Sequence, residues 1–597
     1  MIPVLSIDNL SVSLPRLTGD IPILEKLNLR INAGEMLALV GESGSGKTIA
    51  ALSIMGLLPR GAQVTGSIRV ARQDLTTLNE AAMRKMRGRE IGMVFQNPLA
   101  ALNPSRTVAS QIGEAWRVHN GGSGKAARAR ALELLGEVGI PNPATRLDDY
   151  PHQFSGGMRQ RVMIATALAC SPKLLIADEP TTGLDPLIAR QIMALIARLR
   201  REHDMGVLFV THDLSVVQEH ADSIHVLYAG RSVEFGPAQA FFEHPRHPYS
   251  EALLGSVARL GQARLQDIPG NLPEPENRPA GCRFAPRCGY HKPDCDAGYP
   301  AISRENGTSA ACLYPLPIHQ RAGYAQPLVK PIRNFPAQLE VQNLEVRYAG
   351  QSGWFGGATK LPPTLHEVAF TLGKGECLGV VGESGSGKST LGRAVLQMVD
   401  YQGDIILDGR DFSSLRGAAK RAQRRRIQVV FQDPRESMNP RLKIGDIIAE
   451  PLALQGGLSR AAIRTRVTEL LGQVGLNAEM AALNPGAVSG GQAQRIAIAR
   501  ALAADPELIV LDEPTSSLDV STQAMLLNLL KDLANDRKLS YILISHDFAV
   551  VSYMADRIAV LNAGHIVELN HTANIIQNPQ HPYTISLIGA APQLHMA

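Results

Sequence analysis

The sequence predicts an α/β chain built from one domain repeated twice, each copy a mostly parallel sheet flanked by helices. Three observations carry this expectation. One loop pattern, G-x-x-x-x-G-K-[ST], occurs as GESGSGKT at residues 41–48 and again as GESGSGKS at residues 382–389. Matching motifs follow each loop at a nearly constant spacing. Short apolar runs of strand length (MLALVG, LLIADE, VLFVTH; then CLGVVG, LIVLDE, YILISH) alternate with longer helical stretches.

The spacing identifies duplication of a whole domain. Lys47 and Lys388 are 341 residues apart, Gln96 (VFQNP) and Gln432 (VFQDP) 336, and Ser155 (FSGG) and Ser489 (VSGG) 334. Glu179 and Glu513, like His212 and His546, are also 334 apart, so length differences are confined to loops ahead of the serine-glycine motif. The two copies are assigned to residues 1–260 and 336–597. Between them, residues 261–335 are rich in Pro and Gly and read as a small cysteine-bearing module plus linker.

Composition narrows the class. With 45% hydrophobic and 19% charged residues the chain is globular rather than disordered. A net charge of +5 over 597 residues does not advertise a nucleic-acid partner. No run approaches the roughly 18 apolar residues of a membrane span, and the start MIPVLSIDNLSVSL lacks the features of a signal peptide, so a cytosolic chain is expected. Six cysteines are too few for a disulfide scaffold. Arg421 and residues 424–426 form the densest basic run and read as a solvated helix entering a strand, with anionic lipid as the alternative partner.

Each G-x-x-x-x-G-K-[ST] loop sits between an apolar strand and a helix (TIAALSIMGLL, STLGRAVLQMV), the context in which it binds phosphate. Its glycines (Gly41, Gly44, Gly46; Gly382, Gly385, Gly387), with Ser43 and Ser384, let backbone N–H groups close around β- and γ-phosphates. Lys47 and Lys388 add a point charge, and Thr48 and Ser389 hold Mg²⁺. In a chain of this length one chance match has odds of about 2 in 100; two in repeat register exclude chance. In LLIADEP and LIVLDEP, at the C-terminal end of a strand, both carboxylates can reach one crevice. Asp178 and Asp512 are assigned to Mg²⁺, and Glu179 and Glu513 to polarising an attacking water.

FSGGMRQR (154–161) and VSGGQAQR (488–495) resemble the signature motif of ABC-type ATPases, and the order phosphate loop, glutamine, signature, DEP, LD, histidine is similar to that family in both halves. The resemblance implies two tandem P-loop ATPase domains, each a RecA-like core plus a helical subdomain, that bind ATP and Mg²⁺. It implies that Ser155, Gly156 and Gly157, and Ser489, Gly490, Gly491 and Gln492, reach the γ-phosphate of a nucleotide held by the opposite half. The loop at 41–48 would then pair with 489–492, and the loop at 382–389 with 155–158. Gln96 and Gln432 would sense γ-phosphate and Mg²⁺, His212 and His546 would orient γ-phosphate and water, and Asp185 and Asp519 of the LD steps would complete the ATP-binding set. Tyr348 is the adenine-stacking candidate, and Leu14 holds the matching position in the first half. Met158 replaces glutamine in the first signature and Ala493 replaces arginine in the second.

NPLAALNP (97–104), DPRESMNPR (433–441), HPRHPYSEALL (244–254), HPYTISLI (581–588) and IPGNLPEP…GCRFAPRC (from 268) resemble segments of the dipeptide, oligopeptide and nickel importer ATPases, here with two ATPases fused. The resemblance implies uptake of a peptide or peptide-like solute. Its implied partners are two transmembrane permease subunits and, indirectly, a solute-binding protein, with one chain per transporter at the cytoplasmic face of the inner membrane and no nucleic acid. A soluble ABC ATPase acting on ribosomes or DNA is the alternative.

Cys282, Cys288, Cys295 and Cys312 are separated by 5, 6 and 16 residues. Structural zinc favours closer pairs and stays as the alternative; disulfides are disfavoured in the cytosol. Four thiolates suit a [4Fe–4S] cluster, and the segment resembles the cysteine-bearing extension of peptide-importer ATPases, some of which hold that cluster. Cys170 and Cys377, in apolar contexts, read as core thiols.

Overall fold

Strands in which all five residues are buried run through the middle of each half: Met36–Val40, Leu174–Asp178 and Gly206–Val210 in the first, and Cys377–Val381, Leu508–Asp512 and Ser540–Ile544 in the second. A strand covered on both faces must be apolar without alternation, which is why these segments read as unbroken hydrophobic runs. The structure, a computed structural model, describes residues 3–16, 19–259, 262, 264–305, 307–317, 335–348 and 362–590.

In the first half Ile91–Val94, Leu174–Asp178, Gly206–Val210, Met36–Val40 and Ser223–Tyr228 pair in parallel in that order. The second half repeats it with Ile427–Val430, Leu508–Asp512, Ser540–Ile544, Cys377–Val381 and Arg557–Asn562. Phosphate loop, carboxylate pair and histidine therefore all leave one edge of the sheet, at the carboxyl ends of its strands, where open α/β sheets bind ligands. The expected mostly parallel sheets are present. Each half also has a separate four-stranded antiparallel sheet, Gly19–Ile31, Leu5–Arg16, Gln63–Val70 and Gln73–Asp74 in the first, and Leu365–Gly373, Ala337–Val346, Gln402–Leu407 and Arg410–Asp411 in the second. Its strands have one wet face, so LSIDNLSVSLPR alternates where the central strands do not.

Helices Val108–Asn120, Gly124–Glu137 and Gly156–Ala167 cluster in the first half, as do Ile444–Gln455, Arg460–Gln473 and Gly490–Ala503 in the second. The basic run forms the end of helix Gly417–Arg426, but Arg426 is not simply solvated: it pairs with Asp408 and donates from Nε to Glu507 Oε1 at 2.8 Å.

The halves exchange small pieces. Helix Pro582–Ala590 of the second packs on Pro186–Glu202 of the first, where Arg190 Nη1 donates to Gly589 O at 2.8 Å. Leu265 is buried in the core of the second half, with its carbonyl accepting from Asn528 Nδ2 at 3.0 Å, and Arg264 grips Asp532 at 2.9 and 3.0 Å.

Within 261–335, the part at 318–334 lies outside the described residues. Beyond Arg264 and Leu265, described parts of the segment pack on the first half. Ser303–Glu305 and Thr308–Ala310 form a hairpin that joins the edge strand Arg231–Pro237, giving the first sheet eight strands against six in the second. Phe284, 2% exposed, enters the first core edge-on to Tyr228 (centroids 5.3 Å apart, 83°) and to Tyr249 (5.3 Å, 61°). Among the described residues no helix is long and apolar enough to cross a membrane.

Truncating a fully packed aromatic costs about 3–5 kcal/mol. Phe284→Ala is therefore expected to loosen residues 268–317 and speed their cleavage in limited proteolysis, with the second half unaffected; an unchanged cleavage rate would show that Phe284 is not the plug.

Candidate functional site

The phosphate loops have the backbone that their sequence demands. Gly46 and Gly387 stand at φ +107° and +105° at the N-termini of helices Lys47–Met55 and Lys388–Val395. A Cβ at either would lie within 2.7 Å of Leu24 or Leu365, so glycine is needed for conformation and for space alike. Both lysines are buried. Lys47 Nζ donates to Gly41 O (2.8 Å) and Glu42 O (2.9 Å), and Lys388 Nζ to Gly382 O (2.7 Å) and Glu383 O (2.8 Å). Burial pushes both ammonium pKa values down, opposed by carboxylates that include Glu179 and Asp178, or Glu513 and Asp512.

The carboxylate pairs face one crevice because the chain turns between them. Glu179 and Glu513 both adopt φ +47°, rare for a non-glycine residue, and each is anchored through its N–H, to Val210 O at 2.8 Å and Ile544 O at 2.9 Å. Glu179 is the hub of the first half: Gln96 Nε2 donates to Oε2 at 2.7 Å, Thr182 Oγ1 to the same oxygen at 3.0 Å, and His212 Nδ1 lies 3.1 Å from Oε1. In the second half Gln432 Nε2 donates to Glu513 Oε2 at 3.2 Å and His546 Nδ1 lies 3.2 Å from that oxygen. Ser516 bonds the Glu513 backbone carbonyl (3.2 Å) where Thr182 reaches the side chain of Glu179. Ser389 Oγ donates to Asp512 Oδ1 at 3.1 Å, and Thr48 bonds Asp178 likewise.

Burial and then the charge of Glu179 push Asp178 up to about 6; burial also raises Asp512. Burial would raise Glu179 too, but His212, Thr182 and Lys47 outweigh it and hold that carboxyl at about 2. Glu513 is lowered in the same way, burial being overcome by His546 and Lys388.

The LD aspartates cap the next helices, Asp185 accepting from Ile188 N–H and Asp519 from Thr522 N–H, both at 3.0 Å, and both face the opposite half. Ser43 N–H of the first loop donates to Asp519 Oδ2 at 3.2 Å. Asp185 lines one cavity with Ser384, Gly385, Lys388, Ser389, Gln432 and Glu513. The signature serines make local bonds. Ser155 caps helix Gly156–Ala167 through Met158 N–H (3.4 Å), whereas Ser489 and Gln492 form a reciprocal capping box at 3.3 and 2.9 Å. Met158 has no group to return that second bond.

Tyr348 is 40% exposed, with its hydroxyl 3.3 Å from Thr390 Oγ1 beside the second loop. Leu14 instead packs partly buried on the first half's small core, in a strand that runs on to Arg16, which pairs with Glu276 at 2.8 Å. Sequence reasoning missed Glu42, Arg287 and Thr182, which also face this region.

Burial pulls the His212 pKa down, and the Glu179 carboxylate more than restores it, leaving it above 6.5. A raised histidine stabilises the fold fully below its unfolded value and loses that contribution as pH rises through its folded value; the lowered Glu179 loses its own as pH falls toward about 2. NMR titration of the nucleotide-free protein is expected to put His212 above 6.5, and Glu179→Gln to lower it, since Asp213 alone then opposes burial and Lys47. A midpoint insensitive to that substitution would dissolve the pairing.

The ABC transporter family matches residues 24–182 and 365–516, and the oligopeptide/dipeptide transporter C-terminal region matches residues 233–295 and 567–597. Over 597 residues the chain is 42% identical to the glutathione import ATP-binding protein GsiA of Escherichia coli, covering 99% of this chain and 89% of that protein. Over 608 residues it is 44% identical to the oligopeptide transport ATP-binding protein OppD of Mycobacterium tuberculosis, covering 99% of each. Each region matched by the transporter family encloses one phosphate loop and one Asp-Glu strand end, and the likeness runs the whole length: the chain belongs to the ABC transporter family, as an ATPase subunit with two ATP-binding domains.

Proposed function

We propose that the chain hydrolyses ATP at two composite sites to drive import of a peptide or peptide-like solute through two permease subunits fed by a solute-binding protein, and that it sits on the cytoplasmic face of the membrane through those subunits. The observation that carries the two-site reading is the crossing of Asp519 to Ser43 and of Asp185 to the second loop, which makes each half's loop depend on the other. The importer reading is supported by the full-length likeness to GsiA and OppD and by the second family match in both halves. A role on ribosomes or DNA finds no support among these relatives.

The oxygen donors at each site, Thr48 with Asp178 and Ser389 with Asp512, suit Mg²⁺, a hard cation that takes oxygen ligands. Mg²⁺, when bound, neutralises charge on the phosphate oxygens. Lys47 and Lys388 exchange their carbonyl partners for β- and γ-phosphate oxygens. Glu179 and Glu513, ionised and aimed by their glutamine and histidine neighbours, accept a hydrogen bond from the attacking water and orient it in line. His212 and His546 contact the γ-phosphate. Ser155, Gly156 and Gly157, and Ser489 to Gln492, close on the opposite nucleotide. Closure on ATP and reopening after hydrolysis convert a local charge change into rigid-body movement of the halves. Tyr348 stacks adenine in the second site.

The four cysteines of the segment line one pocket with Phe284 and Leu313, and all are free thiols. Burial and then the other three cysteines push Cys312 up to about 11. Among the described residues no three His, Cys, Asp or Glu side chains are grouped tightly enough for a single metal ion. Four thiols lining one pocket are the ligand set that a [4Fe–4S] cluster takes, with Zn²⁺ as the alternative.

Glu179→Gln and Glu513→Gln are each expected to slow ATP turnover at least tenfold, a barrier increase of about 1.4 kcal/mol. Turnover untouched by one of them would make the sites inequivalent. Anaerobically prepared protein is expected to carry about four irons with matching sulfide per chain, and Cys288→Ser to lower both; stoichiometric zinc without sulfide would reverse the assignment.

A further inference from the structure

Among the described residues, the cysteine segment packs against the first phosphate loop. Glu42, the second residue of GESGSGKT, forms a two-point ion pair with Arg287, Nη1 donating to Oε2 at 2.7 Å and Nη2 to Oε1 at 3.2 Å. Both side chains are 5% exposed. The rest of the guanidinium is also used: Nε donates to Pro269 O at 2.8 Å, Nη1 to Tyr228 OH at 3.2 Å and Nη2 to Ile268 O at 3.4 Å. A planar fork that stays charged is the group that can neutralise a carboxylate in so dry a place.

Arg287 belongs to the cysteine segment, in the turn Ala285–Arg287 between Cys282 and Cys288. That segment touches the loop in two more ways. Leu272 lies against Gly44, where a Cβ would come within 3.4 Å of its Cδ2. Arg283 pairs with Glu25 and donates to Ala229 O, beside Gly230, whose N–H donates to Ser45 O of the loop at 2.9 Å.

In the second loop Glu383 takes the place of Glu42. Its N–H donates to Tyr583 OH at 2.9 Å, as that of Glu42 does to Tyr249 OH at 3.0 Å, so the backbones are held alike. The carboxylates are not. Glu383 is half-buried, with no ion-pair partner among the described residues; partial burial and Asp185 push its pKa up.

We propose that Arg287 is a positioning residue for the first nucleotide site alone, neutralising Glu42 at the mouth of the loop and tying that loop to the cysteine segment. The proposal rests on reading the two loops as nucleotide sites. Without Arg287 a buried negative charge stands beside the position of the triphosphate, and the loop must open to solvate it. Glu383 reaches water already, so the second site has no such dependence. Nucleotide affinity at the first site therefore follows the integrity of the 282–288 turns, and affinity at the second does not.

The test is Mg²⁺-dependent binding of a fluorescent ATP analogue, methylanthraniloyl-ATP, to the full chain in two backgrounds: Lys388→Ala, which reports the first site, and Lys47→Ala, which reports the second. Arg287→Met is expected to weaken binding at the first site at least tenfold and to change the second less than twofold. Adding Glu42→Gln to Arg287→Met is expected to recover most of the loss, because the uncompensated charge is gone. If Arg287→Met does not fold, Arg287→Lys carries the same comparison with a smaller loss confined to the first site. Equal weakening at both sites, or no recovery with Glu42→Gln, overturns the proposal and leaves Arg287 a residue of the fold. No binding of the analogue by either parent background overturns the nucleotide reading itself, and the proposal with it.

Discussion

Each half is organised around a buried lysine ammonium that, among the described residues, is bonded to carbonyls of its own loop and is surrounded by negative charge. Four carboxylates raise the pKa of Lys47 against burial, and one of them, Asp519, comes from the opposite half; for Lys388 the same part is taken by Asp185. The electrostatics of each loop are therefore shared between the halves before any ligand arrives. A triphosphate brings more negative charge to the same ammonium, and the aspartate across the gap must then adjust. Under the two-site reading, charge brought to one half would thus be felt by an aspartate of the other.

That coupling needs halves that stay in register. The exchange of Pro582–Ala590 and of residues 264–265 provides it, since each half keeps a short piece of itself on a long helix of the other. The first of these tethers runs beside the second loop, since Tyr583 OH of the same helix accepts from Glu383 N–H at 2.9 Å. The two-point Arg264–Asp532 pair is largely exposed and contributes little energy by itself; burial of Leu265 supplies the grip.

What was legible in the sequence is what sits within a few residues of a strand end. Lys47, Asp178, Glu179 and His212 and their repeats are fixed by the run of chain that carries them, and the structure brings them together as their spacing implied. Illegible were contacts made at a distance. Nothing local marks Ser303–Glu305 and Thr308–Ala310 as strands until Arg231–Pro237 offers an edge. Arg287 reads as one more surface arginine until the fold sets it on a residue 245 positions away. The antiparallel sheets are illegible for a different reason: their half-wet strands alternate apolar with polar residues and lack the unbroken apolar runs that mark the central strands.

The cysteine segment changes meaning in the same light. Its sparse apolar content suggests, from sequence, a metal centre as one way to hold it in place. The structure supplies other anchors: Phe284 in the core, a hairpin on the sheet edge, and Arg278, Arg283 and Arg287 on the first half's carbonyls and glutamates. Docking of the segment and ordering of the thiols are therefore separate tasks. The four cysteines sit on turns with few long-range hydrogen bonds beyond Cys282 N–H to Cys295 O at 2.8 Å, and those turns are what a cluster would stiffen. Since Arg287 lies next to Cys288, stiffness there bears on the placement of a guanidinium that in turn sets the charge beside the first phosphate loop.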